Sequence, residues 1–524
     1  MESAGFAAAR SKASGEEPMF KKILYSLLIL AASIQPQRSP AGETVRPAAV
    51  AGRFYPKSAE ELRLAVQGFL QDALPRTARN PLAIVVPHAG YIFSGQIAAD
   101  GFKQVEGESY DTVVILGTNH TTRGFEKISV YSGRAFDTPL GTVEIDRKVV
   151  TPLLETCKEC VADEKVHKEE HSIEAQVPFV QVLFPKARIV PVVVGSAEPA
   201  VAARFGKALA AVLKDRRALI VASSDLSHYP SASDAEEVDP KILSAVAGLD
   251  VARVKAAIET QMRRKITNLA TCACGEAPIL ASIEAVRSLG ARGARVISYG
   301  HSADTGLSGP ERVVGYGSVV MTREEGLIPL KKRSKDAPYS DRFDRTERSA
   351  LLAFARENIK RYLTSGTIPL ARGFGENLEQ RRAVFVTLKR HGSLRGCIGT
   401  TTADIPLARV VGIMALKSAF SDPRFRPLER RELSEIEIEI SILTKPREAR
   451  LEDIVTGRDG VILNKGGKTA LFLPQVATEQ KWDRDTMLDQ LCLKAGLEKS
   501  GWREGARFST FQAIVFGEGS ERSP

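Results

Sequence analysis

The stretch LAIVVPHAGYIFSG (Leu82–Gly95) decides how the chain is read. Leu82 to Val86 is a continuous run of mostly branched apolar residues, the pattern of a strand buried in a sheet core. Pro87 ends its ladder, because proline has no backbone N–H to donate, and Gly90 lets the chain turn tightly. His88 therefore falls just past the carboxyl end of a core strand, where open α/β sheets collect their chemistry. Taken alone, it reads equally well as a cap on a loop carbonyl or as a working residue.

Working outward, the same kind of run recurs in "TVVIL", "RIVPVVV", "ALIVAS" and "RVVGYGSVVM", with helical stretches such as "PAVAARFGKALAAVLK" and "EAPILASIEAVRSLG" between them. This alternation predicts an α/β domain, a mixed sheet flanked by helices. The basic segment around "LKKRSKDAPYS" lacks a long period and reads as a linker. Beyond it "TERSALLAFARENIKRYL" predicts a helix with Thr346 as N-cap, and "AVFVTLKR" and "IEIEISILT" alternate like half-exposed strands. The second half is thus a smaller α+β domain. The boundaries expected are 1–43 for a leader-like or disordered start, 44–323 for the first domain, 324–340 for the linker, 341–518 for the second domain and 519–524 for a tail.

At 524 residues the chain is too long for one ordinary core. Its net charge of +10 is uneven. Residues 51–330 carry 32 basic and 33 acidic side chains, and residues 341–524 carry 31 and 25. So dispersed an excess, without aromatic-basic motifs, argues against nucleic acid as a partner.

"MFKKILYSLLILAAS" (Met19–Ser33) has two lysines, a short apolar run and then small residues. That is the layout of a secretory signal, and it predicts export or a membrane tether on the periplasmic side, with a cytoplasmic location as the alternative. Six cysteines are too few for a disulfide scaffold. Cys157 and Cys160, with His167 and His171, spell C-x2-C-x6-H-x3-H, which could hold zinc; the charged, short loop favours a disulfide or two free thiols instead.

The strand ends carry chemistry. "VVILGTNH" ends in His120, "ALIVASSDLSHY" ends in Ser223, Asp225 and His228, "EEHSIE" opens a helix with His171, and "TCACGEAP" brings Cys272 and Cys274 before another. Imidazole and thiolate suit iron, copper or zinc. Asp225 can orient an imidazole, and His228 or His171 can move a proton near neutral pH. Cys272, two residues from Cys274, would point elsewhere and fill space.

"PHAGY", "GTNH", "EHSIE", "SSDLSH" and "CGEAP", in this order, resemble the Memo family, itself similar in fold to class III extradiol dioxygenases. The resemblance implies a metal held by His88, His120 and Cys274, with iron or copper favoured and zinc admissible, and Asp225 and His228 beside it; with His171 these are the candidate acid–base residues. Where the extradiol enzymes use a carboxylate as third ligand, this sequence offers a thiolate, which puts ring cleavage in doubt.

In the second half "LRGCIGT" (Leu394–Thr400), "AFSDPRFRPL" and "LPQVATEQKWD" resemble the AMMECR-type domain. LRGCIGT reads as a strand end entering a turn. Arg395, Cys397, Asp422 and Arg424 are the candidate substrate- or partner-binding residues, Cys397 being either a nucleophile near Arg395 or a packed thiol. The two resemblances together imply the AmmeMemoRadiSam system and a radical-SAM partner protein. The readings that follow are a metal-dependent redox or dioxygenase-like enzyme acting on a small molecule, a non-catalytic metal-binding or docking scaffold, and a metal-free acid–base enzyme.

Overall fold

The structure is a computed structural model and describes residues 43–324 and 339–519. The leader-like segment 19–33, and most of the linker expected at 324–340, lie outside the described residues. Among the described residues no helix is long and apolar enough to cross a membrane.

The strands of the first domain are, in chain order, β1 (Val45–Arg46), β2 (Pro81–Val86), β3 (Thr112–Thr118), β4 (Ile128–Val130), β5 (Ala135–Thr138), β6 (Gly141–Glu144), β7 (Cys160–Val161), β8 (Arg188–Val194), β9 (Ala218–Ser223), β10 (Gly293–His301) and β11 (Gly315–Thr322). Eight of them form one sheet in the order β10-β11-β2-β9-β3-β8-β4-β7. The four central strands β2, β9, β3 and β8 are parallel. Strands β11 and β10 close one side antiparallel. Strands β1, β5 and β6 form a small separate sheet.

The apolar runs become the centre of this sheet because both faces are covered. Helix Tyr91–Lys103 packs on β2, β10 and β11, and helix Glu276–Ser288 packs on β9 and β3. All of β2 and β3 is buried. Each large apolar side chain in such a strand stabilises by about 1.5–3 kcal/mol on burial. The loops that leave β2, β3 and β9 therefore start from a stiff frame, and all three leave from the same end of it.

In the second domain the opening helix is Arg345–Ser365, and its N-cap is Asp344, not Thr346. Asp344 accepts the Glu347 N–H, and the Glu347 carboxylate accepts the Asp344 N–H. This reciprocal pair outcompetes a lone threonine within the first turn. Strands β12 (Val384–Arg390), β13 (Ser393–Thr400), β14 (Ile436–Leu443), β15 (Arg447–Ala449), β16 (Gly460–Lys465), β17 (Lys468–Phe472), β18 (Arg507–Phe511) and β19 (Ala513–Gly517) form two four-stranded antiparallel sheets, β13-β12-β14-β19 and β15-β18-β16-β17. LRGCIGT is not a turn: it lies within the edge strand β13. Its glycines serve close approach. A Cβ at Gly396 would strike the Ser418 carbonyl, and one at Gly399 would strike the Phe385 ring.

Candidate metal centre

Strand β2 delivers His88, β3 delivers His120 and β9 delivers Asp225, all past their carboxyl ends. His171 begins the short helix His171–Glu174. Cys274 lies in the loop before helix Glu276–Ser288, where the Gly275 N–H donates to Ser224 Oγ at 3.0 Å. These loops converge. The ring centroids of His88 and His120 are 5.1 Å apart, those of His88 and His171 5.5 Å, and those of His120 and His171 4.4 Å. Two groups place their donor atoms within 4.8 Å of one another: His88, His120 and His171, and His88, Asp225 and Cys274. His88 belongs to both.

Hydrogen bonds select which ring nitrogen is available. Ser223 Oγ donates to the Ser172 carbonyl at 2.6 Å and accepts Gln176 Nε2 at 2.9 Å. With its proton committed, Ser223 can only accept from His88 Nδ1, 3.0 Å away. His88 Nε2 is left with its lone pair, 3.2 Å from Cys274 Sγ and 3.9 Å from Asp225 Oδ2. His120 is set the same way. Its Nδ1 donates to Glu170 Oε1 at 2.9 Å, and its backbone N–H donates to Glu170 Oε2 at 2.7 Å. This arrangement frees Nε2, as a metal-binding imidazole requires. Candidate ligand atoms thus face one space, and a donor set of imidazoles with a thiol fits a transition metal.

The electrostatics agree. Burial, with His120 and His171 adding repulsion, holds His88 well below the ordinary histidine range, so it is a neutral donor. His171 is lowered by burial and by His120. Burial, then the Asp225 carboxylate, pushes the Cys274 thiol up; thiolate formation there calls for a cation. Asp225 is raised by burial against the N–H bonds it accepts from His88 and Ala89. Burial also pushes Glu170 up, but its bonds from His120 and Ser172 outweigh that and bring it down to about 2. The side chains of His120 and His171 are 28% and 20% exposed against 2% for His88, so solvent reaches the site from their side. His228 donates from Nδ1 to the Leu226 carbonyl at 3.0 Å.

The sequence-predicted residues are therefore gathered, but not in one shell. His88, His120 and His171 form one set, and Cys274 stands with His88 and Asp225. Glu170, which holds His120, carried no role in the sequence reading. Its signal was its place directly before His171. Phe54 carried no signal, yet its ring lies 4.8 Å from that of His171. His301, at the end of β10, is not part of the centre: its ring pairs with Asp304 and Glu236. At C-x2-C-x6-H-x3-H the favoured disulfide forms, and zinc has no complete ligand set there. Cys157 and Cys160 form a disulfide. His167 is buried against Ser129, and burial pushes it down to about 3. His171 belongs to the centre. Cys272 is fully buried, and burial pushes its thiol up to about 12, as a space-filling residue requires.

In the second domain Cys397, Asp422 and Arg424 form one knot. The Cys397 N–H donates to Asp422 Oδ2 at 2.9 Å, and Arg424 donates to Asp422 and to the Cys397 carbonyl. Thr387 Oγ1 donates to Cys397 Sγ at 3.3 Å. Arg395 is not the partner of Cys397. It makes a two-pronged bond to Glu432 at 2.8 and 2.9 Å. His391 pairs instead with Glu435.

The profile of Memo-like proteins matches residues 46–320, and that of AMMECR1 matches residues 352–516. A MEMO1 family protein of Aquifex aeolicus is 41% identical over 262 residues, covering 50% of this chain and 93% of the relative. One of Methanopyrus kandleri is 37% identical over 291 residues, 53% of this chain and 99% of the relative. A crystal structure of an uncharacterised protein of Pyrococcus horikoshii is 36% identical, covers 33% of this chain and 92% of that one, and has a TM-score of 0.32.

Proposed function

The chain belongs to the Memo family, with an AMMECR1 domain fused behind the Memo domain, and on that premise we propose that it is a metal-dependent enzyme of redox or dioxygenase-like type. The observation that carries the reading is the pair of committed Nδ1 atoms. Ser223 and Glu170 leave lone pairs on His88 Nε2 and His120 Nε2, the first of them 3.2 Å from the Cys274 thiol. Those two histidines would hold the metal, with His171 or Cys274 as third ligand. A thiolate would favour copper or a redox iron, and three imidazoles would also suit zinc. When bound, the metal would supply Lewis acidity and, if redox-active, electron transfer. The chain's own residues do the rest. Asp225 fixes the His88 loop through two backbone N–H groups. His228 Nε2 takes or returns a proton. Phe54 covers one side of His171, its ring 4.8 Å away.

The N-terminal pattern at 19–33 supports an exported or membrane-tethered protein, and the Cys157–Cys160 disulfide is in keeping with an oxidising compartment. The second domain would serve as an accessory module, its Cys397–Asp422–Arg424 knot the contact for a small molecule or for the radical-SAM partner of the AmmeMemoRadiSam system. A second reading, metal-free acid–base chemistry, is favoured by Asp225, whose carboxyl is raised by burial in the same site as His228.

Cobalt(II) titration separates these readings. Wild type should bind one equivalent, and His88→Ala and His120→Ala should lose it. Loss of a sulfur-to-metal absorption band in Cys274→Ser would name the thiol as third ligand; loss of affinity in His171→Ala would name the imidazole. No binding by the wild type would overturn the metal reading and leave the acid–base one.

A further inference from the structure

Three arginines of the second domain reach three carboxylates of the first. Arg361, on helix Arg345–Ser365, pairs with Asp72 at the end of helix Ala59–Gln71. Arg372 donates from both terminal nitrogens to Asp100, at 2.8 and 2.7 Å. Arg409, on helix Leu407–Phe420, pairs with Asp304, which also accepts the His301 N–H and faces the His301 ring. The three contacts differ in kind. Asp72 is partly exposed, and such pairs contribute little. The Asp100 side chain is fully buried. Apart from Arg372, the partner it has is the Leu74 N–H at 3.0 Å. A carboxylate so placed is tolerated only with its cation in position. The shapes also match: a Cβ at Gly306 would lie 2.5 Å from Ile413 Cγ2 of the second domain.

We infer that the face of the first domain bearing Asp72, Asp100 and Asp304 is a docking surface for an arginine-presenting AMMECR1-type module, here residues 339–519, and that it holds this module without the covalent tether. Two relatives that half of this chain spans almost end to end, at 93% and 99% of their length, carry the Memo unit as a chain of its own. Occupation also braces the first domain. Asp100 sits on helix Tyr91–Lys103, which begins three residues after His88. The inference stands on the ion pairs and does not depend on the metal reading.

The test uses the full chain with a protease site introduced within 325–338, cut after purification. The halves should co-elute at low salt. Arg372→Ala should weaken their association about a hundredfold or more, because docking would then bury Asp100 unpaired. Arg361→Ala should change it about fivefold or less. Adding Asp100→Asn to Arg372→Ala should recover part of the loss, since the charge is gone while the shape is kept. Amide exchange in Tyr91–Lys103 should quicken in Arg372→Ala and not in Arg361→Ala. Separation of the halves at low salt would overturn the inference. So would equal effects of the two arginine variants, or no recovery with Asp100→Asn.

Discussion

Asp239 lies on helix Ala232–Ala247, fully buried. It accepts the Ser227 N–H at 3.0 Å, Ser227 Oγ at 2.9 Å and Tyr299 OH at 3.0 Å. Burial outweighs these bonds and pushes its carboxyl from 3.8 up to about 7. A carboxyl whose folded value exceeds its unfolded value binds its proton more tightly in the fold. Its contribution to stability is complete below pH 4 and is lost as pH rises to 7. About three units at 1.36 kcal/mol each amount to ~4 kcal/mol. Asp239→Asn keeps the shape and cannot ionise, and the two hydroxyls can rotate to accept from its amide. The stability of wild type minus that of Asp239→Asn should therefore fall by about 4 kcal/mol between pH 4 and 7 and be level on either side. Other titrating groups cancel in the difference. Urea unfolding must be followed by circular dichroism or amide exchange in β10 and β11. Both tryptophans, Trp482 and Trp502, lie in the second domain and report on the wrong half. A pH-independent difference, or one that rises with pH, would refute a raised Asp239.

Glu170→Gln should lower cobalt affinity about 10–100-fold with the fold intact, since an amide cannot accept from the ring and both backbone N–H groups at once; chelator competition reads it, and unchanged affinity would remove Glu170 from the site. Glu174→Ala should cost about 3–5 kcal/mol by urea unfolding. It strips the buried Arg46 of its carboxylate and the Ala49, Val50 and Tyr55 donors of their acceptor. A loss near 1 kcal/mol, that of a single neutral hydrogen bond, would show that Arg46 does not need it. Cys157→Ser should cost about 2 kcal/mol, the entropy expected for so short a closed loop. Adding reductant should lower the wild-type melting temperature and leave the variant unmoved.

Much of the fold was legible from the chain. The runs at Leu82–Val86, Thr112–Leu116, Arg188–Val194 and Ala218–Ser223 became the central parallel strands, because branched apolar side chains in sequence have nowhere to go but a sheet covered on both faces. Histidines just past such strands had to meet at one end of the sheet. The misreadings are of another kind. LRGCIGT looked like a turn because glycines usually mark turns. In β13 they instead make room for the Ser418 carbonyl and the Phe385 ring, neighbours that no local pattern announces.

By itself, then, the sequence determined which strands would be buried, the two-domain division and which histidines could meet, since these follow from local hydrophobic period and from residue chemistry at strand ends. Only the tertiary structure decided which nitrogen each imidazole presents, that Glu170 and Ser223 enforce the choice, that Cys274 groups with His88 and Asp225 and not with His120 and His171, and that Asp100 takes its cation from the other domain. Hydrogen bonds and ion pairs act over about 3 Å in space, and the partners here lie from 49 to 272 residues apart along the chain.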